Sequence, residues 1–267
     1  GKTTFLLQYA KEKFGTDRSC LFINMNNFYF SGHSIVDFAY EFQRRGGKVL
    51  LIDQVFKYDG WSKELRMCYD RFPGLKIVFT GSSVMRLKEE NLELRDIVKS
   101  YNLRGFSFRE FLNLQTGMKF KAYTLDEILR NHEQIAKGVL SKVKPLDYFQ
   151  DYLHHGFYQL IIKKRNFSEN LLKTMNMMVE VDILLIKQIE LKYLSKIKKL
   201  LYLLAVGGPK APNVSQLASD IQTSRATVMN YIKYLADSRL INMVYPEGEE
   251  FPKKPCKIML HNTNLMY

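Results

Sequence analysis

Gly1-Lys2-Thr3-Thr4 and Asp53 are the residues whose types and spacing point most directly to chemistry. An amine and a hydroxyl at the start of a helix suit phosphate. The backbone N–H groups and the helix N-terminus cradle the phosphates, the lysine reaches the outer ones, and the hydroxyl after it ligates Mg²⁺. Phe5, Leu6, Leu7, Tyr9 and Ala10 follow at helical spacing, so the segment reads as the latter half of a phosphate-binding loop entering its helix. Alone, the tetrapeptide suits any helix start. It becomes informative beside a second apolar segment, Val49–Ile52, that ends in the carboxylate of Asp53.

The elements that would position these groups follow from short apolar runs. Val49–Ile52 and Ile77–Phe79 are too brief for helices and are flanked by polar or turn residues, so both read as strands buried on both faces. Trp61–Phe72 between them reads as a helix stopped by Pro73-Gly74. Upstream, Cys20–Met25 reads as a strand and Asn26–Gly32 as a loop. Ser34 caps a helix to about Arg44, with Ile35, Val36, Phe38, Ala39 and Phe42 inward. Alternating helix and strand over Gly1–Ser83 predicts a parallel α/β sheet with helices on both faces. Asp53 and Thr80-Gly81-Ser82-Ser83 then stand at the C-terminal strand ends, where open α/β sheets bind ligands. The glycine-rich start of a complete phosphate loop and its strand do not precede Gly1, so the sequence reads as a piece of a longer chain.

Composition narrows the classes. With 46% apolar residues among 267, the chain can bury a core. No apolar run reaches the length of a transmembrane helix, and no secretory signal is visible, so no membrane partner and a cytoplasmic location are expected. Cys20, Cys68 and Cys256 are scattered without CxxC spacing, which argues for reduced thiols and against a zinc site. Cys20 and Cys68 read as small core residues. The net charge of +13 is divided almost equally between the two halves. It permits nucleic-acid binding and equally suits a solvated, lysine-rich surface.

Taken together, Lys2-Thr3, Asn26–Ser34, Asp53-Gln54-Val55-Phe56-Lys57-Tyr58, Trp61-Ser62-Lys63-Glu64-Leu65 and Thr80–Ser83 resemble a prokaryotic family of AAA-type P-loop ATPases. That family's Walker B strand reads roughly DE-h-HKY-xx-W. Tyr101–Leu112 resembles its L-x-x-LSFREFL segment. The resemblance implies ATP and Mg²⁺ as cofactors. It implies Gly1, Lys2, Thr3, Thr4 and Ser82 around the phosphates, and Thr3 and Asp53 at the metal. It implies catalytic roles for the position of Gln54, for Ser83 on the γ-phosphate side, and for Arg95 as an arginine finger in trans. Two departures stand out. Gln54 replaces the usual water-activating Glu, and an amide orients water but cannot take its proton. Leu94 precedes Arg95 where the family has Gly, which leaves Arg86 and Arg104 as alternatives. The family also continues into a further C-terminal domain, with Asn262–Tyr267 as its lead-in.

The remaining chain reads as helical until about Gly208. Ser107 with Glu110 forms a capping box ahead of Phe108, Phe111 and Leu112. Leu125–Lys142 reads as a helix of weaker amphipathicity at the edge of a lid, and Leu146–His155 as a short helix ended by Gly156. Adjacent His154 and His155 have poor metal-ligand spacing. Ser168 is expected to cap a long helix to about Lys187, with Met175, Met177 and Met178 as core or interface filler. Glu190–Ala205 follows, with Lys196, Lys198 and Lys199 on its polar side. Asn213 with Gln216 caps the next helix. Arg225–Asp237 then follows a short turn, and Leu240–Tyr245 and Lys257–Leu260 read as paired strands. This order predicts a winged helix. On DNA, Ser224, Arg225, Thr227, Asn230 and Lys233 would face the duplex. The acidic tip, Glu247, Glu249 and Glu250, opposes phosphate.

The expected organisation is an AAA-type domain over 1–144, a helical lid or linker over 145–208, and a winged helix over 209–267. The leading functional expectation is an ATP-binding, Mg²⁺-dependent nucleotide switch, slow in hydrolysis, in a homo-oligomer or with a protein partner. The alternative is a DNA-binding regulator whose nucleotide site is structural.

Overall fold

We describe a computed structural model of the chain, covering residues 1–81, 92–163, 166–183 and 189–266. Ser82, Ser83 and Arg86 lie outside the described residues. The chain forms two compact units, Gly1–Leu103 and Arg104–Tyr267.

The first unit is a three-layer α/β sandwich. Its elements run α1 (Lys2–Phe14), β1 (Cys20–Asn24), α2 (Ile35–Arg44), β2 (Val49–Asp53), α3 (Trp61–Arg71) and β3 (Lys76–Phe79). The strands are parallel in the order β1-β2-β3, with Asn24 beside Asp53 and Leu50 beside Ile77. Every residue of the central strand β2 is buried. Side chains alternate across a strand, so β2 serves both faces. Val49 and Leu51 pack with Leu6 beneath α1. Leu50 and Ile52 pack with Ile35, Val36 and Ala39 of α2 and with Trp61, Leu65 and Cys68 of α3. The expectation for β3 is corrected: Ile77, Val78 and Phe79 are only half-buried. Among the described residues, β3 has a strand neighbour on one side only.

Ser34 caps α2 as its sequence implies, accepting from Asp37 N–H at 2.9 Å. A second anchor comes from α3. The Glu64 carboxylate accepts from Ile35 N–H (2.6 Å) and Val36 N–H (3.2 Å), so it stands at the positive end of α2.

The second unit is mainly helical. It contains α4 (Phe108–Thr116), α5 (Leu125–Leu140), α6 (Leu146–Asp151), α7 (Phe167–Met177), α8 (Leu194–Gly207), α9 (Val214–Asp220) and α10 (Arg225–Asp237). The strands β4 (Ile241–Val244) and β5 (Lys257–Leu260) follow. The Ser107–Glu110 capping box is formed, and Phe111 and Leu112 are buried behind it. α6 widens into a π turn, Tyr152–Gly156. Asn264, 1% exposed, takes up the polar groups left by that turn. Its amide donates to Tyr152 O (3.1 Å) and Leu153 O (2.8 Å), and its carbonyl accepts from Phe157 N–H (2.9 Å).

Several local expectations change. Asn166, at φ 51°, is the N-cap residue of α7, and Ser168 lies inside its first turn. The helix leaves α-geometry at Met178, entering a π turn to Ile183, and the expected continuation to Lys187 passes outside the described residues. Leu171, Val179 and Ile183 supply the buried contacts there, whereas Met177 is exposed. The polar side of α8 is not simply solvated. Lys196 and Lys199 donate to Gln222 O and Asp220 O, each at 2.6 Å, and so complement the C-terminal end of α9.

Asn264→Ala would strip one acceptor and two donor bonds from a buried site. It should cost about 1–3 kcal/mol of stability, read as a lower urea midpoint for the second unit. An unchanged midpoint would show that water replaces the amide there.

Candidate functional site

The site is built where β1, β2 and β3 end together. Asp53 closes β2 and is 2% exposed. A buried carboxylate is costly unless hydrogen bonds replace its hydration. Thr3 Oγ1, in the first turn of α1, donates to Asp53 Oδ2 at 2.8 Å. Asn24 Nδ2, at the end of β1, donates to the same oxygen at 3.2 Å. Thr80 Oγ1, just past β3, donates to Asp53 Oδ1 at 2.5 Å. One carboxylate thus gathers groups from the helix N-terminus and all three strand ends.

Gln54 follows in the left-handed region, at φ 59° and ψ 38°. A non-glycine residue there carries a strain of about 1–3 kcal/mol, so the surroundings must hold it. They do so at three points. Val55 N–H donates to Thr80 O at 2.9 Å. Val55 and Phe56 are buried in the core between the sheet, α2 and α3. Tyr58 Oη donates to Glu64 Oε1 at 2.7 Å, and Trp61 packs its ring 5.5 Å from that of Phe79. Glu64 therefore ties the turn after Asp53 to the start of α2. Burial, and secondarily the Glu64 carboxylate, push the Tyr58 phenol up to about 12.

The sequence-derived residues separate clearly. Thr3 and Asp53 meet directly. Lys2 and Thr4 are exposed on either side of Thr3 at the start of α1, and Gly1 occupies the N-cap position. Arg95 is exposed in a turn after the buried Leu94, and Arg104 is exposed in the second unit. Asn24 is an addition, Thr80 is placed at the ligand edge by the sequence without a role of its own, and Glu64 is a further addition. A readable signal did exist for the first two: each is a polar residue that ends an apolar strand neighbouring the Asp53 strand.

The donor set suits a hard cation. Mg²⁺ is held by oxygen, commonly through one or two carboxylates together with substrate phosphates and water. Thr3 and Asp53 offer a hydroxyl and a carboxylate oxygen side by side. Among the described residues, no group of three or more His, Cys, Asp or Glu could hold a metal ion unaided. His155 is engaged with Asp151 at 2.9 Å. Cys68 is fully buried, and burial pushes its thiol up to about 12, whereas Cys20 is only half-buried.

In the second unit, α9, a short turn and α10 precede the antiparallel β4–β5 pair, and Lys210 bridges to Ile258 beside it. Ser224 is spent locally, since its hydroxyl caps α10 through Thr227 N–H at 3.1 Å. Lys233 lies over the Phe251 ring at 4.7 Å. Arg225 is exposed. Thr227 and Asn230 line an open cleft of about 350 Å³ with Tyr193, Tyr231 and Tyr234.

Residues 1–112 match the family model of an AAA domain, and residues 146–258 match a model described as a domain of unknown function. The first match supports an AAA-type, ATPase-like class for the N-terminal region. An uncharacterized protein of Methanocaldococcus jannaschii is 28% identical over 266 residues, covering 93% of this chain and 55% of that protein. The chain thus spans about half the length of that relative. No solved structure matches. Among the described residues, no helix is long and apolar enough to cross a membrane.

Tyr58 should leave a trace in alkaline unfolding. Its folded pKa lies above that of a solvated phenol, about 10, so its contribution is fully present below that pH and fades as pH rises toward 12. Tyr58→Phe should flatten the fall of stability in that window, measured by denaturant melts from pH 9 to 12. Identical slopes would mean that the fold does not favour the protonated Tyr58 phenol.

Proposed function

We propose that the Asp53 site binds ATP with Mg²⁺ and that the chain acts as a nucleotide-dependent switch with slow hydrolysis. The observation that carries this reading is the Thr3–Asp53 contact at 2.8 Å, which joins a helix N-terminus to a buried carboxylate 50 residues away. In this reading Lys2 neutralises the outer phosphates, and the backbone N–H groups at the start of α1 receive them. Thr3 and Asp53 hold Mg²⁺, directly or through its water shell. Bound Mg²⁺ supplies charge neutralisation on the phosphates. Gln54 orients the attacking water without accepting its proton, which limits turnover. Ser83 and Arg95 remain the proposed γ-phosphate and trans contacts, and Thr4 and Ser82 the proposed phosphate contacts.

ATP with Mg²⁺ should stabilise the protein by about 2.7 kcal/mol at a hundred times its dissociation constant, read as a raised Tm. Lys2→Ala and Asp53→Asn should abolish that shift while leaving the unliganded Tm near wild type for the exposed Lys2. Gln54→Glu should raise turnover about tenfold or more, because a carboxylate accepts the proton that the amide cannot. A nucleotide shift that survives both Lys2→Ala and Asp53→Asn would end this reading.

A second reading rests on the helix–turn–helix and strand pair of the second unit. We propose this region as a winged helix that contacts duplex DNA through Arg225 and Asn230. Arg225→Ala should weaken duplex binding about tenfold and reduce its salt dependence, measured by fluorescence anisotropy. Binding that is insensitive to both salt and Arg225 would remove DNA as the ligand.

A further inference from the structure

Of the three donors to Asp53, Asn24 has no part in the nucleotide reading above, and it differs from the other two in kind. The parallel register sets Asn24 beside Asp53, and side chains alternate along a strand. Both residues therefore lie on the α1 face of the sheet, which Phe22 and Leu51 occupy two positions earlier. The hydroxyls of Thr3 and Thr80 rotate freely, and each oxygen keeps lone pairs for a cation or a phosphate. The Asn24 amide lacks that freedom. Its Oδ1 accepts from Asn26 N–H at 2.8 Å, so Nδ2 is the end that donates to Asp53 Oδ2, at 3.2 Å. Turning the amide over would set its oxygen against the carboxylate and its NH₂ against an N–H. The main chain is held as well, since Asn24 O accepts from Asn27 N–H at 3.0 Å.

We propose that Asn24 is a positioning residue for a divalent cation at Asp53. A carboxylate offers roughly four acceptor positions. Thr3 and Asn24 occupy Oδ2, and Thr80 takes one position on Oδ1. The remaining position lies on Oδ1, and the fixed amide keeps the carboxylate turned so that Oδ1 meets Mg²⁺ or its water shell. Asn24 is not itself a ligand, because its oxygen is spent on Asn26 N–H. It acts through Asp53, as outer partners of metal ligands do. This inference rests on the reading of Thr3 and Asp53 as the Mg²⁺ pair.

Two variants test it with opposite signs. The ATP-dependent rise in Tm, followed at saturating ATP while Mg²⁺ is titrated, reads the cation apart from the nucleotide. Asn24→Leu should raise the Mg²⁺ midpoint about tenfold and leave ATP affinity in EDTA at the wild-type value. Asn24→Asp, studied without nucleotide, sets a second carboxylate beside Asp53 and Thr3. It should have a lower Tm than wild type in EDTA, through like-charge repulsion, and Mn²⁺ should restore it. Isothermal titration calorimetry should show Mn²⁺ binding about tenfold or more tighter than in wild type. A Tm lowered equally at every Mg²⁺ concentration in Asn24→Leu, with an unchanged midpoint, makes Asn24 a structural residue only and overturns the proposal. So does a folded Asn24→Asp protein that gains no Mn²⁺ affinity. If Asn24→Asp does not fold, the Asn24→Leu midpoint decides. A wild type without any ATP shift ends the nucleotide reading instead, and the Mn²⁺ titration then decides on Asn24 by itself.

Discussion

The carboxylate of Asp53 is the constraint on which the first unit depends. Sheet and helices bury it almost completely. An unpaired carboxylate in that position would cost several kcal/mol, enough to threaten a fold of ordinary stability. Three donors remove the problem, and each comes from a different element: Thr3 from α1, Asn24 from β1 and Thr80 from the exit of β3. The bonds that satisfy the carboxylate therefore also align the strand ends with the helix N-terminus. A ligand cation arriving there would compete for oxygen atoms that are already ordered, so little of the site has to be organised on binding.

The same economy holds one residue further on. Gln54 occupies a strained backbone state that only its surroundings can enforce. The enforcing contacts run through Val55 to Thr80, through Tyr58 to Glu64, and from Glu64 to the first N–H groups of α2. Glu64 thus performs two tasks with one carboxylate, capping a helix and holding a turn. A shift of α2 would reach Tyr58, four residues beyond Gln54, through two hydrogen-bonded steps that share the Glu64 carboxylate. The backbone conformation of Gln54 is therefore held by contacts that lie beyond the site itself.

Elements with strong local signals were legible in the sequence. Buried β2 announced itself by an unbroken apolar run, and the caps Ser34, Ser107 and Asn213 by their spacing to the next polar residue. The meeting of Thr3 and Asp53 was legible because a lysine-hydroxyl pair and a strand-ending acid are chemically informative together. What escaped was relational. Asn24 looks like an ordinary strand-end residue, and Thr80 like one hydroxyl of a ligand-edge turn, until the parallel register sets them beside Asp53. Glu64 looks like a surface residue of α3 until α2 brings its N-terminus to it. Thr124 and Glu127 obey the same capping rule as Ser107 and Glu110 and were open to the same reading. The π turns at Tyr152 and Met178 have no local sequence signature, and the first has its freed polar groups taken up by the distant Asn264.

Net charge is the least discriminating of the sequence features, and the second unit shows why. A total of +13 invites an anionic partner. Yet Lys196 and Lys199 are committed to carbonyls at the end of α9, Lys198 to Glu180, Lys253 to Glu249, and Lys233 to the face of Phe251. Each of these ammonium groups is thus partly answered within the fold, although the exposed pairs add little to its stability. The cationic groups that count toward a nucleic acid are those left facing solvent on a shared surface, and on α10 that points to Arg225. A duplex docked on α10 would therefore find few phosphate contacts, and few contacts imply a shallow salt dependence. The strand-end site of the first unit differs in kind, since there three donors from three elements converge on the Asp53 carboxylate beside the start of α1.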